Sequence, residues 1–411
     1  MRKFLLALLL FLLPACCAQA EEVVMVEASD LHYLSPALVT GQEQFMRIIE
    51  RSDGKMPHYS SEICQAFAAE MLAMRPDAVI LSGDLTLNGA AQSHRELAQV
   101  LRPLQEAGIA VLVIPGNHDV GGIAYRFTPT GPQPLIAASR AEFEEIYRVF
   151  GWDGARSRDT VSFSYVYEIR PTLWALMVDV NANDKPGYVR DETLAWIETQ
   201  LREAQAAGAE VISVTHQNLL MQQHVFALGI QIENAAALID LYSRYGVRLN
   251  LSGHMHMQHI AQQAGIADIA TEALPVAPCQ YGVIRAAEEG LRYDTQRLDV
   301  AAWARAQGSE DENLLHFEEY AQGFFYQLNV GKMADGLAGV ADDGVRQEML
   351  DYAARINAAY FDGTLKDTDI DAGGLALWRA HLPGAFFTQY MQMLLEEPEM
   401  EMNHLRIEWG R

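Results

Sequence analysis

Five apolar runs in this chain each end on residues able to bind a metal ion. Val23-Val24-Met25-Val26-Glu27-Ala28 runs into Ser29-Asp30-Leu31-His32, and Ala78-Val79-Ile80-Leu81 delivers Ser82-Gly83-Asp84-Leu85. Ala110-Val111-Leu112-Val113-Ile114 leads to Pro115-Gly116-Asn117-His118-Asp119. Glu210-Val211-Ile212-Ser213-Val214-Thr215 ends at His216, and Val247-Arg248-Leu249-Asn250-Leu251 delivers Ser252-Gly253-His254-Met255-His256. Carboxylates, imidazoles and one amide oxygen together suit borderline divalent ions. In an extended segment residues i and i+2 share a face, so Asp30 and His32 are expected to point at one centre. His254 and His256 repeat that spacing. His118 adds an imidazole, and Asp119 a carboxylate able to orient it. Each fragment alone reads equally well as a polar loop or an N-cap. Their recurrence at strand ends is what points to a metal site.

The elements that must position these residues follow from periodicity. Residues 23–28, 78–81 and 110–114 read as buried strands. Between the last two lies an amphipathic helix over about 91–107. Before them a helix starts at Ser60 or Ser61 and runs to about Arg75, with Ile63, Phe67, Met71 and Met74 at helical spacing. Right-handed crossovers then place the three strand ends on one edge of a parallel sheet, where open α/β sheets bind ligands. A Gly- and Pro-rich loop follows Gly121, then a helix over 138–150 and strands over 161–168 and 173–180. Asp191 is placed to cap a helix reaching Ala207, and residues 238–245 close another. Residues 258–298 read as short strands turning at Gly265, Gly282 and Gly290, forming a second sheet packed on the first. His224 and His259 read as surface or supporting residues rather than ligands.

Composition bounds the function. The chain has 411 residues and a formal charge of −24, so its surface repels a polyphosphate backbone, and no Lys/Arg-rich block offsets this. A nucleic-acid polymer is therefore not an expected partner. Residues 1–20 have the form of a leader: Arg2 and Lys3, then an apolar run from Phe4 to Leu13 too short to span a bilayer. Ala18-Gln19-Ala20 offers cleavage before Glu21, and Leu13-Pro14-Ala15-Cys16 offers lipidation of Cys16 after a 15-residue leader. Either exit places the protein outside the cytoplasm, secreted or tethered through Cys16. Cys64 and Cys279 remain beyond the leader, and the sequence leaves open whether they pair. After Val300 the composition turns helical, over about 310–327, 345–360 and 374–397, the last interrupted by Pro383-Gly384. This second, α-helical region is either a cap over the site or a stability element.

The ordered set D-x-H, G-D, G-N-H-D, H and G-H-x-H resembles the calcineurin-like metallophosphoesterase superfamily over roughly residues 23–290, with no motif residue missing. The resemblance implies an α/β fold of four layers, two packed mixed β-sheets flanked by helices, over residues 21–300, with the helical domain over 301–411. It implies one metal held by Asp30, His32, Asp84 and His256, and a second held by Asp84, Asn117, His216 and His254, with Asp84 bridging. His118 would face the leaving-group oxygen, oriented by Asp119. The ions would be Mn, Fe or Zn. Two such ions ~3.5–4 Å apart can share a hydroxide and clamp both oxygens of an in-line displacement at phosphorus. More loosely, residues 82–89, the span from Asp53-Gly54-Lys55 to Tyr59-Ser60 and the appended helices resemble bacterial secreted or lipoprotein enzymes similar to cyclic-nucleotide phosphodiesterases. The expected substrate is a small phosphodiester. The alternatives are a broad phosphomonoesterase or protein-phosphatase-like hydrolase, and a metal-binding surface module without catalysis.

Overall fold

In the computed structural model, residues 22–182, 185–223, 229–396 and 401–410 are described. The leader with Cys16, and His224, lie outside them. The first strands are β1 (Val23–Ala28), β2 (Ala78–Leu81) and β3 (Ala110–Val113), and a hairpin follows, β4 (Ile123–Thr128) and β5 (Gly131–Ile136). Then come β6 (Ser157–Arg158), β7 (Tyr165–Arg170), β8 (Leu173–Met177), β9 (Glu210–Val214) and β10 (Leu249–Ser252). The remaining strands are β11 (His259–Gln263), β12 (Ile266–Ala270), β13 (Gln280–Ala286), β14 (Gly290–Arg297) and β15 (His404–Glu408). One sheet has the order β15-β14-β13-β1-β2-β3, the other β11-β12-β10-β9-β8-β7-β6. Both are mixed: β1, β2 and β3 run parallel, as do β8, β9, β10 and β12, while the outer strands pair antiparallel.

Alternating burial explains the layering. In β8, Leu173, Ala175 and Met177 face the core between the sheets, and Trp174 and Leu176 face the other way. The outward pair packs against helices α5 (Asp191–Ala207) and α6 (Ala235–Tyr245), introduced here with the earlier helices α1 (Gln42–Ile49), α2 (Ser60–Met74), α3 (Ala91–Glu106) and α4 (Arg140–Tyr147). On the opposite side α2 and α3 cover the first sheet through Ile63, Phe67, Met71, Leu97, Leu101 and Leu104. Each such buried side chain contributes about 1.5–3 kcal/mol. The result is helix, sheet, sheet, helix, the four layers expected.

Five local expectations need correction. Residues 258–298 do not make a sheet of their own: β11 and β12 extend the second sheet, and β13 and β14 extend the first. Gly282 is no turn but lies inside β13, where a Cβ would overlap the Tyr293 ring. The Gly- and Pro-rich stretch after Gly121 is the hairpin β4–β5, whose Pro132 and Pro134 are tolerated because β5 is an edge strand that pairs with β4 alone. Neither Ser60 nor Ser61 caps α2; Tyr59 holds that position, and the Ser60 hydroxyl instead donates to the Pro57 carbonyl and accepts from the Leu34 N–H. Asp191, similarly, is the first helical residue of α5 and not its cap.

The helical region comprises α7 (Val300–Ala306), α8 (Glu312–Leu315), α9 (Phe317–Ala334), α10 (Asp343–Phe361), α11 (Ala372–His381) and α12 (Phe386–Glu396). It is not helical to its end, because β15 returns and pairs with β14 at the edge of the first sheet. Phe317, Ala321 and Phe325 of α9 enter the main core. Met333, Leu337, Met349, Ile356 and Trp378 form a separate core that also takes in Met255 and Met257. Cys64 and Cys279 are both free and buried. Among the described residues no helix is long and apolar enough to cross a membrane.

Candidate metal centre

The strand ends meet between the two sheets. β1, β2 and β3 of the first sheet deliver Asp30, His32, Asp84 and Asn117; β9 and β10 of the second deliver His216, His254 and His256. Ligand atoms of Asp30, His32, Asp84 and His256 lie within 4.8 Å of one another, and so do those of Asp84, His216 and His254. Asn117 joins the second group through its Oδ1, 3.0 Å from His216 Nε2. Asp84 divides its two oxygens between the groups: Oδ1 is 3.4 Å from His216 Nε2, and Oδ2 is 3.8 Å from His32 Nε2.

The backbone that achieves this is not the extended one expected. Asp30 and His32 have φ of 51° and 42°, Asp84 46°, His254 68° and His256 61°. Eight non-glycine residues among those described have positive φ, and these are five of them. A left-handed residue of this kind is costly and persists where its surroundings hold it in place. The convergence of Asp30 with His32 thus comes from a left-handed turn, not from a shared strand face. Two glycines make room. Gly83 has φ 103° and lies against the His216 ring; at Gly253 a Cβ would overlap Ser29 Oγ and Asp30 Oδ2.

Hydrogen bonds assign the inward-facing atoms. Asp30 Oδ2 accepts from Ser29 Oγ at 2.6 Å and from the His254 N–H at 2.8 Å, while its buried Oδ1 has no hydrogen-bond partner and faces His256 Nε2 at 3.3 Å. His216 donates Nδ1–H to the Ser82 carbonyl at 2.9 Å, which turns Nε2 inward. His254 Nε2 is 3.0 Å from the Gly229 carbonyl oxygen. His32 Nε2 and His256 Nε2 stand only 3.1 Å apart. Two imidazole nitrogens and an unpaired carboxylate oxygen converging in a buried place are the chemistry of a cation site, and the donor set fits Mn, Fe or Zn alike.

The electrostatics agree. Burial works against ionising Asp84 and Asp30, but His216 and His256 respectively outweigh it, and both carboxyls are held below the ordinary range. Conversely, burial disfavours charge on His216, yet the Asp84 carboxylate lifts it to about 9. His32 is pushed well down by burial and by Lys55, and His254 to about 4 by burial and then His216. The two carboxylates create a field that attracts positive charge.

His118 sits at the rim, its side chain 40% exposed, with Nε2 3.8 Å from Asp84 Oδ2. Its orientation does not come from Asp119, as the sequence had suggested. His118 Nδ1 donates to the Leu87 carbonyl at 2.9 Å. Asp119 is fully buried and accepts instead from the N–H groups of Leu85, Thr86 and Gly116 and from the Thr86 hydroxyl. Burial and the nearby Asp84 raise its carboxyl to about 7. Asp119 therefore staples the Asp84 loop to the Asn117 loop. Asp119→Ala should strand three buried N–H groups and cost roughly 3 kcal/mol of stability. Denaturant melts check this. An unchanged midpoint with an altered pH–rate profile would restore the orienting role.

His259 is buried, not at the surface, and its Nδ1 lies 3.0 Å from Gln222 Oε1. Sequence reasoning gave no role to Asp53 or Lys55. Lys55 Nζ is 3.3 Å from His32 Nε2 and 3.0 Å from Asp53 Oδ2, and Asp53 Oδ2 is 3.4 Å from His256 Nδ1. Their signal was membership of the span from Asp53 to Ser60 that resembles the cyclic-nucleotide phosphodiesterase-like enzymes, which by itself assigns neither a place at the centre.

Two mixed sheets that meet in a pair of carboxylate–imidazole clusters define a metal-binding hydrolase fold of the phosphoesterase type. Residues 26–258 match the family model described as calcineurin-like phosphoesterase, and the chain belongs to that family. Residues 299–401 match the model described as the C-terminal domain of cyclic nucleotide phosphodiesterase. The chain is 26% identical over 212 residues to the glycerophosphodiester phosphodiesterase GpdQ of Enterobacter lignolyticus, covering 51% of this chain and 66% of that one. It is 25% identical over 195 residues to a probable cyclic nucleotide phosphodiesterase of Rhodococcus erythropolis, covering 47% and 55%. Among solved structures, a dimetal phosphatase from Danio rerio aligns over 67% of this chain and 96% of that one, at 12% identity and a TM-score of 0.49.

Proposed function

We propose that this protein is a dinuclear metal-dependent phosphodiesterase acting on small phosphodiesters, with cyclic nucleotides as the substrate class. The observation that carries the reading is the position of Asp84, one oxygen toward each imidazole cluster, with His118 Nε2 beside it. Asp30, His32, Asp84 and His256 would hold one ion, and Asp84, Asn117, His216 and His254 the other. Such a pair supplies Lewis-acid charge and an activated water nucleophile. The chain's own residues do the rest. The seven candidate ligands would fix the site between the sheets, and the Leu87 carbonyl keeps the Nδ1 proton of His118 in place, so that Nε2 faces the site to give a proton to the leaving oxygen. The match of residues 299–401 supports the cyclic-nucleotide class.

The test is a panel on Mn-loaded protein: bis(p-nitrophenyl) phosphate, p-nitrophenyl phosphate and adenosine 3′,5′-cyclic monophosphate. Hydrolysis of the diester and the cyclic nucleotide is expected, with the monoester slower. Preference for the monoester would favour a broad phosphomonoesterase, and inertness toward all three a metal-binding module.

A further inference from the structure

Beside the metal centre lies a pocket of about 450 Å³. Asp53 and Lys55 belong both to it and to the metal site, since they touch His256 and His32. Leu87, whose carbonyl anchors His118, lines it too. The pocket therefore adjoins the metal centre through residues that contact His32, His256 and His118. Its walls are otherwise largely apolar, Phe45, Ile49 and Phe127 among them.

Its charge is unlike that of the rest of the molecule. The whole chain carries 54 acidic and 30 basic side chains. Lining this pocket are three cations, Arg51, Lys55 and Lys332, and one carboxylate, Asp53. Lys55 is buried and committed to the metal-centre end, 3.0 Å from Asp53 and 3.3 Å from His32 Nε2. Lys332 comes from α9 of the helical region and lines the same pocket as Asp53. A concave site with a surplus of positive charge concentrates anions within it. A phosphodiester with a single negative charge is already matched by the metal centre. The remaining cations call for a second anionic group.

We propose that this pocket binds a second anionic group, a phosphate or carboxylate, on one arm of the substrate, with Lys332 as its counter-charge. The helical region is then a specificity element that reaches into the site. This rests on the phosphodiesterase reading, and within small phosphodiesters it gives an additional acidic substituent a place to bind; a cyclic mononucleotide, which has none, would use the metal centre alone.

Binding to the full-length, Mn-loaded protein tests it without relying on turnover. Thymidine 3′,5′-bisphosphate and thymidine 5′-monophosphate differ by one phosphate, and calorimetry gives both affinities. The wild type should bind the bisphosphate about tenfold more tightly, the order expected of one partly shielded ion pair. In Lys332→Ala the gap should shrink to about twofold, and Lys332→Arg should restore it. Equal affinity in the wild type, binding of neither nucleotide, or a gap that persists in Lys332→Ala would overturn the proposal. Bis(p-nitrophenyl) phosphate hydrolysis by the same preparation reports separately on the phosphodiesterase reading, because that ester has no second anionic group.

Discussion

Asp84→Ala is expected to abolish phosphoester hydrolysis and to lower bound metal from two ions per chain to one or none. Asp84 is the residue common to both ligand groups, and it uses a different oxygen for each. It is 1% exposed, so water will not substitute freely for the lost carboxylate. Its Oδ1 also accepts the His118 N–H at 2.8 Å, which ties the β2 and β3 loops together. Losing the shared ligand should reduce kcat/KM by about 10⁴-fold, equivalent to ~5.5 kcal/mol of transition-state stabilisation. Metal analysis of the purified variant beside its circular dichroism separates loss of metal from loss of fold. His254→Ala, which touches only one ligand group, should keep roughly one ion if Asp84→Ala folds poorly. Full metal occupancy in folded Asp84→Ala would remove the basis for a shared centre.

His118→Ala should behave in the opposite sense, with metal content retained and turnover lost. The side chain stands 3.8 Å from Asp84, but the bond that holds the loop is made by the His118 backbone N–H, which alanine keeps. Removing a positioned general acid costs typically ~10²–10⁴-fold in rate. The loss should depend on the leaving group. An alkoxide needs the proton and should show the full effect, whereas p-nitrophenolate leaves readily and should show much less. Comparison of kcat on an alkyl diester and an aryl diester measures this. An equal loss on both, or loss of metal, would make His118 a structural residue.

How much of this could be read from the chain depends on the residue. The candidate ligands were visible because each closes a buried apolar run, and the strand-end rule for α/β sheets needs no coordinates. That β9 and β10 belong to a different sheet from β1, β2 and β3 was not visible, since burial alternation shows which faces are covered and not which strands are neighbours. The left-handed backbone at Asp30, His32, Asp84, His254 and His256 was equally hidden, because tertiary contacts impose it against local preference. Asp119 misled because adjacency to His118 suggested a pair, whereas adjacent side chains at a turn point to different partners. Pro132 and Pro134 suggested a loop, and an edge strand such as β5 accommodates them in a hairpin. Lys332 carried no signal at all; a lysine on a helix is ordinary until the fold sets it in the lining of the pocket that holds Asp53.

The sequence His254-Met255-His256-Met257 has one further implication. The histidines face the ligand clusters, and Met255 and Met257 are built into the hydrophobic interior of the C-terminal helices. The two halves of the protein therefore share a rivet rather than a boundary. A truncation after residue 300 would leave both thioethers facing water beside the ligands, and an engineer who grafts the helices onto another scaffold must carry those methionines along.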